Sequence, residues 1–102
     1  MKSEIKKFSI RLNVPYDLPA IEWKKIEDVY RTMDGFIQAE NATDYQCWYG
    51  DENSDRYITF SVEPSGFAFE ALIEEAIWIG WLTILCSRLS LALGREIRDA
   101  EM

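Results

Sequence analysis

The run Asp51-Glu52-Asn53-Ser54-Asp55 comes nearest to a metal site by residue type. Read as a calcium loop from Asp51, it offers oxygen donors at positions 1, 3 and 5. Such a loop then needs Gly at position 6 and a bidentate Glu at position 12. Arg56 and Val62 stand there instead, so the run reads as a solvated hairpin turn. Glu74 and Glu75 suggest an acid–base pair. Neighbouring residues of a helix diverge by about 100 degrees, however, so the two would not converge on one substrate atom. There is no histidine, which removes the commonest general base and the Ser-His and Cys-His pairs. Cys47 and Cys86 are too few for a structural zinc site. The five glycines are dispersed, with no phosphate-cradling loop. The expectation is a non-enzymatic protein that uses no cofactor and no metal.

The distribution of charge narrows the partners. Net charge is −7. Residues 32–87 carry ten acidic side chains and one basic, Arg56, while the two ends are near balance. Phosphate contact is driven by Lys and Arg, so nucleic acid is not an expected partner. An anionic membrane surface is disfavoured for the same reason.

With 102 residues the chain has room for one core, and 48% hydrophobic content with four Trp argues for a folded globule over residues 1–102. No secretory signal precedes the first alternating segment, so a cytoplasmic protein with reduced thiols is expected. Residues 4–14 alternate, with Phe8, Ile10, Leu12 and Val14 on one side and Lys7, Ser9 and Arg11 on the other. That predicts a half-buried strand ended by Pro15. Asp17 is placed to cap a helix whose inward stripe is Trp23, Ile26, Tyr30 and Met33, stopped at Asp34-Gly35. Short strands are expected at Phe36–Glu40 and Tyr45–Tyr49. A longer one follows over Arg56–Glu63 with Ile58, Phe60 and Val62 inward, turning at Pro64-Ser65-Gly66 into Phe67–Phe69.

Ala71 to Gly94 is the most apolar stretch and reads as a helix. At 100 degrees per residue Trp78, Leu82, Leu85 and Leu89 share one face. Ala76, Gly80, Thr83, Ser87 and Ser90 make a stripe of small residues opposite. Arg95 to Arg98 is expected to add a short edge strand through Ile97. The order predicts an α+β fold: an antiparallel sheet of four to five strands with two helices on one face, as a split βαβ (ferredoxin-like) arrangement or a meander variant.

Three stretches carry a family likeness: Cys47-Trp48-Tyr49-Gly50, Ser61-Val62-Glu63-Pro64-Ser65-Gly66, and Ala92-Leu93-Gly94 followed by Arg98-Asp99-Ala100-Glu101. Together they resemble small acidic bacterial immunity proteins encoded beside polymorphic toxins such as Rhs-type effectors, over most of residues 23–101. The likeness lies in turns and strand ends, and the apolar Ile77–Leu85 segment departs from it. It implies inhibition of a cognate toxin domain by binding. The acidic middle implies that this domain presents a basic surface. The expected contact surface is Glu40, Asp44, Asp51, Glu52 and Asp55, with Trp48 or Tyr49 as an aromatic anchor. The alternative is a structural or oligomeric domain that self-associates through the Ala71–Gly94 helix.

A membrane span needs about 20 mostly apolar residues, and here Glu75 and Arg88 bound a shorter uncharged run. The protein is therefore expected in the soluble fraction of a detergent-free lysate. Recovery only after detergent extraction of the membrane pellet would overturn that expectation.

Overall fold

A computed structural model describes residues 4–37, 46–50, 53–64 and 66–100. The elements run β1 (Ile5–Leu12), α1 (Ala20–Thr32), β2 (Phe36–Ile37), β3 (Cys47–Trp48), β4 (Tyr57–Glu63), β5 (Gly66–Glu74) and α2 (Glu75–Leu93). The five strands form one sheet in the order β1-β5-β4-β3-β2, and every neighbouring pair is antiparallel. This is the meander variant. A split βαβ unit would pair β1 in parallel with its neighbour, whereas Ile5 faces Glu74 and Leu12 faces Phe67.

Register puts the apolar residues of all strands on one face. Phe8, Ala71, Ile58, Trp48 and Phe36 lie in one row, and Ile10, Phe69 and Phe60 lie in the next. Both helices cover that face. Tyr30 of α1 meets Phe60 and Phe69 with ring centroids 5.0 and 6.0 Å apart. Trp78 and Trp81 of α2 meet Phe8 at 5.7 Å and Phe69 at 6.0 Å. The core is thus largely aromatic, and edge-to-face pairs such as Tyr30–Trp48 add directional preference to area burial. The other sheet face carries Lys7, Ser9 and Arg11 from β1 and Glu70 from β5, all exposed.

Several expectations need correction. Asp17 does not cap α1, which has no side-chain cap. Leu18 precedes proline and is biased to extended backbone, and Pro19 itself has ψ 155. The helix therefore starts two residues too late for Asp17 to reach its first N–H groups. The Pro19 carbonyl accepts from Glu22 and Trp23 instead. Helix α2 begins at Glu75, not Ala71. Phe67, Phe69, Ala71 and Ile73 are buried in alternation, so Ala71 to Glu74 extend β5. The Glu74 carboxylate lies 2.8 Å from Arg56 in an ion pair. Val62 is 43% exposed where inward packing was expected. Ile97 is buried, but the tail forms no strand there: it meets β1 at the isolated bridge from Leu12 to Asp99, beside which the Ala100 amide donates to the Arg11 carbonyl.

The inward face of α2 follows the sequence periodicity: Trp78, Trp81, Leu85 and Leu89 are buried. By length and composition alone α2 would be able to cross a membrane, but this face lies on the sheet. Leu85 is 0% exposed, so Leu85→Ala is expected to destabilise the fold by about 2–5 kcal/mol. A urea unfolding midpoint that moves by less than about half a kcal/mol equivalent would refute the assigned face.

Candidate functional site

The chain reverses direction between α1 and β2 through Met33, Asp34 and Gly35. Gly35 adopts φ 84, as expected of a left-handed residue. It meets Tyr49, which follows β3 and has φ 68, the one non-glycine residue with positive φ among those described. For a tyrosine this conformation is strained. A Cβ on Gly35 would lie 2.7 Å from the Tyr49 ring, so only glycine lets the ring pack there. The Tyr49 amide donates to the Gly35 carbonyl at 2.7 Å, and the phenol donates to Asp34 Oδ2 at 2.9 Å. Gly50 then turns the chain; a Cβ there would meet the Arg56 carbonyl at 2.2 Å.

Around this corner lies a hollow of about 300 Å³. Thr32, Asp34 and Tyr49 form one side, and Ile77, Trp81, Ile84 and Arg88 of α2 the other. Trp81 donates its indole N–H to the Asp34 carbonyl at 3.1 Å, and Arg88 donates to the Thr32 carbonyl at 2.9 Å. Partial burial, then the Asp34 hydrogen bond and charge, push the Tyr49 phenol up to about 12. The corner therefore presents a neutral phenol beside a carboxylate.

The expected contact residues separate here. Asp55 is exposed and Tyr49 is half-buried with its hydroxyl engaged. Glu40, Asp44, Asp51 and Glu52 lie outside the described residues. Trp48 is corrected: it is 0% exposed, so it cannot serve as a surface anchor. Its ring fills the centre of the aromatic core, and its N–H is taken by the Tyr30 carbonyl at 3.1 Å. In the sequence Asp34 reads only as part of a helix stop. Its pairing with a tyrosine fifteen residues later has no local sequence signal.

A second surface feature is the outer face of α2. Ala76, Gly80, Thr83 and Ser87 all face solvent, and Ile79, Ile84 and Leu91 are 56%, 47% and 85% exposed. No charged side chain interrupts it from Ala76 to Ser87.

No group of three His, Cys, Asp or Glu able to hold a metal ion occurs among the described residues. Cys47 is buried, Cys86 is half-buried, and neither forms a disulfide. Burial and the nearby Asp99 push the Cys86 thiol up, the opposite of nucleophile activation. Comparison with protein-family models, with curated proteins and with solved structures finds no match.

Tyr49 supplies a test with a definite sign. It keeps its proton in the fold up to about 12, while the unfolded chain releases it near 10. Tyr30 acts in the same direction, because burial raises its phenol well above the usual range. The stabilisation from both is complete below pH 10 and is lost as pH rises through the folded value. Asp34→Asn is expected to lower the Tyr49 titration part of the way towards 10, read from its ring resonances by NMR. An unchanged titration would remove Asp34 as a contributor.

Proposed function

We propose that this chain is an inhibitory binding protein of the immunity type, which neutralises a toxin domain by occupying its surface. The observation that carries this reading is the strained corner at Tyr49. Backbone strain in a non-glycine residue persists only where the surrounding structure enforces it, and it concentrates at sites of function. Here it holds an aromatic ring half-exposed beside Asp34, two residues before the acidic run that begins at Asp51. An aromatic ring next to a single-sign acidic segment suits a basic protein surface: the carboxylates steer the encounter, and the ring supplies contact area. The likeness to immunity proteins points the same way. The site of action proposed with it is the cytoplasm, where the toxin domain would be met.

The outer face of α2 favours a second reading, self-association. Small residues at Ala76, Gly80, Thr83 and Ser87 permit close helix approach, and exposed Ile79, Ile84 and Leu91 gain from being covered. The mass of the isolated chain in solution separates the two. A monomer that forms a one-to-one complex supports inhibition, whereas a dimer converted to monomer by Leu91→Glu supports self-association.

The direct test is co-expression with candidate toxin domains taken from neighbouring genes, read as growth rescue and as co-elution. Charge reversal at Asp51, Glu52 and Asp55 is expected to slow association about 10-fold or more at low salt and to flatten its salt dependence. The thermal melt should stay unchanged. A folded triple mutant with unaltered association kinetics would sink the acidic docking surface, and absence of any complex would sink the inhibitor reading.

A further inference from the structure

Helix α1 carries three acids, Glu22, Glu27 and Asp28, and they differ in their partners. Glu22 has Lys25 at 3.9 Å and Asp28 has Arg31 at 3.8 Å. Glu27 has no ion pair among the described residues. Its side chain borders a hollow of about 320 Å³ between α1 and β4. Trp23 supplies aromatic surface, with the 8% exposed Phe60 beneath it, Val62 aliphatic surface and Gln46 an amide, over a floor that includes buried Ile26.

Val62 explains itself here. Its parity on β4 is inward, yet it is 43% exposed, because α1 leaves this end of the sheet uncovered. Tyr30 also lines the hollow. Its hydroxyl is buried and has no hydrogen-bond partner, which is uncommon for a polar atom inside a fold.

The lining defines its complement. Aromatic and aliphatic walls favour a ligand with an apolar body. A carboxylate without a cation, an amide oxygen and a lining that includes no Lys or Arg favour a positively charged head. A volume of about 320 Å³ is at the lower end of small-ligand sites, suited to one side chain. Between the two basic side chains, arginine fits better. Its planar guanidinium stacks on an indole and pairs a carboxylate through two N–H groups, while its stem packs on apolar walls.

We propose that the hollow between α1 and β4 is an anchor pocket for one arginine side chain of a partner protein. Glu27 holds the guanidinium, and Trp23, Phe60 and Val62 pack the stem. The inference rests on the reading of this chain as a protein-binding inhibitor, which is what brings the arginine. Gln46 in this pocket and Tyr49 at the strained corner flank the two residues of β3, so no more than about 10 Å of chain separates the two contacts.

The test needs no toxin. The full chain, labelled with nitrogen-15, is titrated with N-acetyl-arginine amide and, separately, with neutral N-acetyl-norleucine amide. The arginine probe is expected to shift the Trp23 indole signal and the amides of Glu27, Gln46 and Val62 saturably, in the millimolar range. Glu27→Gln, on an exposed helix position, is expected to keep the spectrum folded and to weaken binding about tenfold. No saturable shift, equal binding of the norleucine probe, or full affinity in Glu27→Gln would each overturn the proposal. Failures are separable. Arginine-probe binding without a toxin complex sinks the inhibitor and leaves the pocket. A toxin complex in a chain that ignores the probe sinks the pocket and leaves the inhibitor.

Discussion

The C-terminal end of α1 packs against elements that come later in the chain, and two of its last carbonyl groups accept hydrogen bonds from them. A helix leaves its last four carbonyls without partners of its own, and burying such groups unpaired costs about 1–3 kcal/mol each. Trp48 of β3 donates to the Tyr30 carbonyl, Arg88 of α2 donates to the Thr32 carbonyl, and Trp81 of α2 donates to the Asp34 carbonyl just beyond the helix. Three side chains from two other elements thus hold one helix end. The two indoles that do so also touch each other, 5.0 Å apart, and both touch Phe69 of β5. Sheet, helix end and second helix are therefore fixed by one set of aromatic groups, with their apolar faces in the core and their N–H groups spent on the end of α1 and the turn that follows it.

That arrangement decides what the surface can offer. Spending Trp48 inside removes the most obvious aromatic from the acidic segment and leaves Tyr49 to stand at the surface. Tyr49 can do so only in a left-handed backbone, with its ring against a glycine that has no side chain to obstruct it. At the opposite end of β3 the helix layer stops short of Val62 and leaves the Glu27 hollow. The two contact features thus lie at the margins of the aromatic core, where its coverage ends. The outer face of α2 is a separate matter: its inward stripe is fully used, and the apolar residues left over face solvent.

How much of this the sequence discloses depends on the range of the interaction. Alternation in residues 4–14 and the 3.6-residue spacing of Trp23, Ile26 and Tyr30 and of Trp78, Leu85 and Leu89 are repeated signals, and the folded faces follow them. The boundary at Ala71 to Glu74 is ambiguous because Ala71 and Ile73 suit either a strand or a helix face; the pairing with β1 and β4 decides it. Trp48 and Tyr49 are neighbours of similar composition, and nothing local tells which turns inward. The choice is made by the Tyr30 carbonyl, eighteen residues earlier. The Asp34–Tyr49 pair and the Glu27 hollow likewise join residues from different elements. Sequence periodicity reports which face of an element is apolar, but not where the cover of that face ends.

The pairing of β1 with β5 has a consequence for how the molecule is made. Ile5 pairs with Glu74 and Leu12 with Phe67, whereas β4 and β5 are neighbours in sequence, with Glu63 facing Gly66. A chain emerging from the ribosome exposes the apolar side of β1 first and supplies its partner strand only after some sixty further residues. During that interval Phe8, Ile10 and Leu12 have no sheet to join, and long-range pairing of this kind is slow to form. Lys6 and Lys7 sit in the same strand. Their positive charges oppose pairing between two nascent β1 segments on neighbouring chains, a protection needed before the fold exists as much as after it.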